Sequence, residues 1–166
     1  MDGTVLLPEF DQEMAHTRRA LERVDETRFD WKPHEKSFSL KDLATHLARL
    51  PIWLSMTLDT SEFDSDAGDF PDTPVESRED LLALFDEGVA ESRAKLQSAS
   101  ADDLVQPWSL MMEGEAAFTL PKAVVLRTWV FNHIVHHRGQ LTVYLRLLDI
   151  PVPAIYGPSA DEEPHG

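Results

Sequence analysis

Three of the chain's seven histidines, His133, His136 and His137, fall within five positions of the run NHIVHHRGQL, residues 132–141. If that run is helical, His133 and His137 lie about 40° apart and one turn from each other, on a face shared with Leu126, Gln140 and Tyr144. An i, i+4 pair of imidazoles is a common way to offer two nitrogen ligands to one metal ion, although such pairs also stand on exposed surfaces. His136 lies about 60° from His133 in the other direction and roughly 100° from His137, so it can join one neighbour but hardly both. The residues expected to act together are therefore His133 and His137, with His136 beside the site or at a helix contact.

A third imidazole comes from far upstream. His46 falls on a helical stripe with Leu43, Leu50 and Trp53, which turns it toward an interior. There it is either a hydrogen-bonded core residue or the ligand that completes a set with His133 and His137. Three neutral imidazoles leave one or more positions open on a divalent ion, as in catalytic rather than structural metal sites. His16, His34 and His165 have no partner at ligand spacing and are expected at the surface or as neighbours of the site.

Other chemistries are excluded or weakened. The chain has no cysteine, so disulfides, Cys-based zinc knuckles and a protein thiol nucleophile are ruled out; a catalytic thiol would have to arrive with a substrate. Ile134 occupies the position after His133 where a zincin carries its glutamate base, and no G-x-S-x-G elbow, phosphate loop or dinucleotide fingerprint is present. Asp42, one turn before His46, is the nearest carboxylate, though an acid near a helix N-terminus needs no catalytic reason. Arg138 and Gln140 can orient a substrate or a histidine; for Arg138 a plain place near the helix surface is the simpler expectation.

The elements that must position these residues read as four helices. Pro8 opens the first, which carries Phe10, Met14, Leu21 and Val24 at helical spacing through about Glu26. After the connector FDWKPHEKSFS, Ser39 caps a second helix, kinked or divided by Pro51. Residues 59–76 form an exposed loop, a substrate lid or a partner surface. Ser77 then caps a third helix to about Gln97, with Glu79 and Asp80 in its first turn. WSLMMEGEAAFTL suggests a short hairpin around Glu113-Gly114. Thr119 is expected to cap the fourth helix, which runs past Pro121 to about Leu148 over roughly 40 Å. Residues 1–158 then make one domain, and 159–166 a tail that frays. Val124, Phe131 and Val135 lie nearly opposite the histidine face, so that side is covered by a neighbouring helix or by a second copy in a symmetric dimer.

Composition narrows the partners. With 42% apolar and 27% charged residues the chain is an ordinary globular protein. Fifteen basic residues against 30 acidic ones leave a formal charge of −15, which disfavours nucleic acid and anionic bilayers. Residues 121–148 run against this trend, holding Lys122, Arg127, Arg138 and Arg146 and no acid. No apolar run is long enough to span a membrane, and MDGTVLLPEFDQEM lacks the features of a signal peptide, so a cytoplasmic location is expected.

Two blocks, WKPHEKSFSLKDLATHLARLPIW and NHIVHHRGQLTVYLRLLDIPVPAIYGPSADE, cover about a third of the chain and resemble the DinB-like family of bacterial four-helix bundles. The resemblance implies an all-α, down-up-up-down bundle with a long loop after the second helix, often dimeric. It also implies a divalent metal, nickel or zinc, held by residues that match His46, His133 and His137. Relatives of this kind include transferases that use the low-molecular-weight thiols mycothiol, bacillithiol or glutathione, alongside isomerases, hydrolases and members without assigned activity. A thiol transferase acting on a small molecule, a metal-dependent hydrolase and a non-catalytic metal- or ligand-binding module are thus the functions to distinguish.

Overall fold

Three serines set where helices begin. Ser39, Ser77 and Ser100 each accept from the backbone N–H three residues on, while Asp42, Asp80 and Asp103 reach back to the serine N–H, making three reciprocal capping boxes. In this computed structural model, which describes residues 2–67 and 73–163, they start α2 (Leu40–Arg49), α4 (Arg78–Ser98) and α5 (Ala101–Val105). Helix α1 (Leu7–Leu21) opens with Pro8 in its first turn and stops five residues short of the expected end. Asp25 is the reason: its carboxylate accepts from the Thr27 N–H and hydroxyl and starts a separate 3₁₀ turn, Glu26–Arg28.

Pro51 divides the second helix, and α3 (Ile52–Asp59) comes directly after it. Ser92 of α4 bridges the break: its hydroxyl donates to the Pro51 carbonyl at 2.6 Å and accepts from the Ser55 N–H at 3.3 Å. Buried backbone groups that the proline disturbs thereby regain partners.

The expected hairpin is present as β2 (Pro107–Met112) and β3 (Glu115–Pro121), turned by Glu113 and Gly114, both at positive φ. The loop before α4 contains a strand that periodicity does not reveal, β1 (Glu62–Asp64), which pairs parallel to β2. Residues 68–72 of that loop lie outside the described residues. Trp108 and Leu110 of β2 pair with Leu120 and Phe118 of β3 and pack, with Phe63, against Trp53, Met56 and Val125. Thr119 is a β3 residue bonded to Ser109 at 2.7 Å, not a helix cap; the last helix starts at Lys122, after Pro121, without a side-chain cap.

That helix has three parts: α6 (Lys122–Val125), a π-helical segment (Leu126–Phe131) and α7 (Asn132–Leu147). The wider π turn rotates the faces of α7 relative to those of α6. Phe131, expected to share with Val124 a face covered by a neighbouring helix or a second copy, points into the core and meets Phe10 edge-on at 6.1 Å, while Val124 stays exposed.

Helix α1 packs on α4 and α7, and so does α2; each sequential pair, α1 with α2 and α4 with α7, therefore stands across the bundle. The core between them holds Phe10, Met14, Leu43, Leu47, Leu81, Phe85, Ile134 and Leu141. Beyond α7 the chain does not fray at once: Asp161 pairs with Arg146, and Glu162 with Arg19 and Arg23. Residues 164–166, with His165, lie outside the described residues. Among the described residues no helix is long and apolar enough to cross a membrane.

Candidate metal centre

Helix caps and buried stripes decide where the histidines stand. With α2 phased by Ser39, its residues Leu40, Leu43, Ala44 and Leu47 are buried, and His46 lies half-buried at the edge of that stripe. On α7 the buried stripe is Ile134, Arg138, Leu141 and Leu145. His133 and His137 each precede a member of it by one residue and sit half-buried at its flank, where α7 packs on α2.

The three rings converge. Ring centroids are 5.1 Å apart for His46–His133, 4.6 Å for His46–His137 and 4.7 Å for His133–His137. One nitrogen from each lies within 4.8 Å of the others, and the Nε2 atoms of His46 and His133 are 3.3 Å apart. Two nitrogens bound to one tetrahedral zinc at 2.0–2.1 Å stand about 3.4 Å from each other. The outer nitrogens are engaged: His133 Nδ1 meets the Trp129 carbonyl at 3.3 Å, and His137 Nδ1 meets Gln140 Oε1 at 2.7 Å. With the proton held on Nδ1, each Nε2 keeps its lone pair for the centre.

Electrostatics favour the neutral form. Burial, helped by the charges of His137, His133 and Arg49, pushes His46 down to about 4. Burial also lowers His133, with help from His137 and against the Trp129 carbonyl. It lowers His137 against the opposing pull of Gln140. Near neutral pH the cluster is thus three uncharged nitrogen donors, a set that suits zinc, nickel, cobalt or iron. Among the described residues no carboxylate joins it. Asp42, the carboxylate nearest to His46 in sequence, serves the helix N-terminus, engaged in the α2 capping box.

A groove of about 540 Å³ opens beside His46, lined by Phe38, Lys41, Thr45, Arg49 and Val75 among others. His136 is exposed, with its ring 4.8 Å from that of His137, and stays outside the three-nitrogen cluster. His34 is exposed. His16 is half-buried beside Tyr156, at a ring separation of 5.4 Å.

Alongside this geometry and the cyclic helix order, comparison with known proteins is decisive on kinship. The sequence profile of the DinB family matches residues 1–165. The chain belongs to the DinB family. A DinB-like protein from Bacillus cereus superposes with a TM-score of 0.70 at 23% identity, covering 91% of this chain and 95% of that one. YfiT from Bacillus subtilis, described as a probable metal-dependent hydrolase with an unusual four-helix bundle topology, gives 0.60 at 18% identity, covering 89% and 87%. The mycothiol-dependent maleylpyruvate isomerase gives 0.51 at 16% identity, covering 92% of this chain and 65% of that one. At such identities the likeness speaks for the fold alone. No functionally curated protein matches the sequence.

One residue of this DinB-family chain overturns its sequence expectation. Arg138 is not near the surface: it is 2% exposed and pairs with Glu13 at 2.6 Å. It also donates to the Glu13 carbonyl, Thr17 Oγ1 and the Tyr156 hydroxyl. Tyr156 in turn donates to Glu13 at 2.9 Å. Arg138 therefore ties α7 to α1 and the C-terminal segment, directly after the histidine that Gln140 orients. Glu13 and Tyr156 carry no local sequence signal for this role, because their partner lies more than a hundred residues from one and on a different element from the other.

Proposed function

We propose that His46, His133 and His137 hold a divalent metal ion, nickel or zinc, and that the protein is a cytoplasmic metal-dependent enzyme that transfers a low-molecular-weight thiol to an electrophilic small molecule. The observation that carries this reading is the convergence of three neutral imidazoles, two of them with their outer nitrogens already engaged, and with no carboxylate among the described residues of the cluster. Such an ion supplies Lewis acidity, lowering the pKa of a thiol or water that ligates it. A thiol needs less help than water from a protein base, which suits a cluster without a carboxylate of its own, beside a groove whose two carboxylates, Asp42 and Glu76, are engaged by Ser39 and Lys41. The chain itself has no cysteine to serve as nucleophile.

The protein's own groups would do the rest. His46, His133 and His137 stay unprotonated through burial; Gln140 and the Trp129 carbonyl fix two of the rings; the groove beside His46 admits the thiol and lets its proton leave to solvent. The thiolate sulfur would then form a bond to the electrophilic carbon as the bond to the leaving group breaks, and that group, chloride in the case of 1-chloro-2,4-dinitrobenzene, would depart to solvent with the electron pair. The exposed Val143 and Leu147, one turn apart on α7, offer a face for a homodimer. The name of the structurally similar isomerase, which specifies mycothiol, agrees with a thiol cosubstrate. Hydrolysis is the second reading, favoured by the description of YfiT.

The test is to incubate metal-loaded protein with mycothiol, bacillithiol or glutathione and a model electrophile such as 1-chloro-2,4-dinitrobenzene, beside a panel of ester and amide substrates. Thiol conjugation that depends on the metal and disappears in His46→Ala is expected. Metal-dependent ester or amide cleavage without conjugation would replace transfer by hydrolysis.

A further inference from the structure

Three aromatic rings lead outward from the small sheet to the histidine cluster. Trp108 is buried, with its ring 6.2 Å from that of Phe118 on β3, and Phe118 stacks on Trp129 of the π segment at 5.0 Å with planes 23° apart. Trp129 ends the row at the surface, 41% exposed, one turn before His133. Its indole is held from below by Phe118, and its carbonyl engages His133 Nδ1. A depression of about 420 Å³ opens over this ring, lined by Thr128, Trp129, Asn132, His133 and His136. No acidic, lysine or arginine side chain is among those lining residues, in a chain that carries 30 acids and 15 bases.

We propose that the Trp129–Phe118 shelf is the subsite for a planar, uncharged apolar group of the substrate, seated on the Trp129 indole next to His133. A large aromatic surface left open at a chemical site is the usual mark of ligand contact. Face-to-face offset stacking on a ring that is already immobilised needs little further ordering of the protein. The depression shares His133 with the cluster, so a group stacked there holds the rest of its molecule toward the three imidazoles. With no acidic, lysine or arginine side chain in its lining, the depression offers no fixed counter-ion to a charged group at this end of the substrate. This subsite deepens the proposed metal-dependent chemistry, and it selects an aromatic or otherwise flat electrophile over an aliphatic one.

Two arms test it. In metal-free protein, 2-naphthol binding is followed by isothermal titration calorimetry. Saturable binding is expected in the wild type and in Trp129→Phe, with at least ten-fold weakening in Trp129→Ala. In zinc-loaded protein, acetohydroxamate, benzohydroxamate and 2-naphthohydroxamate are compared. Affinity is expected to rise about ten-fold from the methyl to the naphthyl compound in the wild type, and this gain to vanish in Trp129→Ala while acetohydroxamate binds within two-fold of wild type. Absence of 2-naphthol binding, equal affinity for the three hydroxamates, or a ring-dependent gain that survives Trp129→Ala would each overturn the subsite. So would sedimentation showing that Trp129→Ala converts a dimer to monomers, which assigns the face to a second copy. Failure of acetohydroxamate to bind counts against the metal reading alone, since the 2-naphthol arm needs no metal.

Discussion

At the residue scale, the site depends as much on what holds the imidazoles as on the imidazoles. Gln140 meets His137 Nδ1 at 2.7 Å, and groups of this kind tune metal affinity by about 10–100-fold. Gln140→Leu is therefore expected to weaken zinc binding within that range in a competition titration with a chromophoric chelator, and Gln140→Glu to restore it. Equal affinity in Gln140→Leu and wild type would remove Gln140 from the site. Arg138→Met leaves the Glu13 carboxylate buried without its cation and is expected to cost about 3–5 kcal/mol in urea denaturation. The placing of His133 and His137 on one face, with His136 off it, was legible because it needs only the helical repeat. The burial of Arg138 was not, since an arginine inside a helix reads the same whether its partner is water or a glutamate on another helix.

At the element scale, short-range chemistry explains what could be read and what could not. The capping boxes at Ser39 and Ser77 precede long amphipathic helices and mark their starts. Ser39→Ala is expected to cost about 1 kcal/mol, read as a lower urea midpoint with an unchanged slope. The box at Ser100 opens a helix of only five residues, too short for a hydrophobic period to register. Strand β1 escapes because its partner β2 lies some 45 residues further on and the pairing is parallel. The π segment escapes because a single wide turn has no composition of its own, yet it decides that Phe131 faces the core and Trp129 the surface.

At the scale of the whole molecule, the cyclic order of the helices brings α2 and α7 side by side although nearly ninety residues separate His46 from His133. That adjacency is what turns a helical pair into a triad; the stripe with Leu43, Leu50 and Trp53 already offered His46 as a third donor facing the interior, and the DinB-family resemblance implied the same three. It also couples the site to stability. His46 titrates near 6.5 when unfolded and at about 4 when folded, so between these values the unfolded chain binds more protons and acid favours it. The urea midpoint of metal-free protein is expected to fall from pH 6.5 toward pH 4, with a shallower fall in His46→Ala. The cap carboxylates Asp80 and Asp103, held below the usual carboxylate range chiefly by a backbone N–H for Asp80 and the Ser100 hydroxyl for Asp103, add a further loss below about pH 3.8.

If three histidines from two helices share one ion while the neighbouring His136 does not, elemental analysis of natively purified protein reads that division most directly. Wild type and His136→Ala are expected to carry one divalent ion per chain, and His46→Ala, His133→Ala and His137→Ala to carry essentially none while remaining folded. Full metal content in His46→Ala, or its loss in His136→Ala as complete as in His137→Ala, would contradict the assignment.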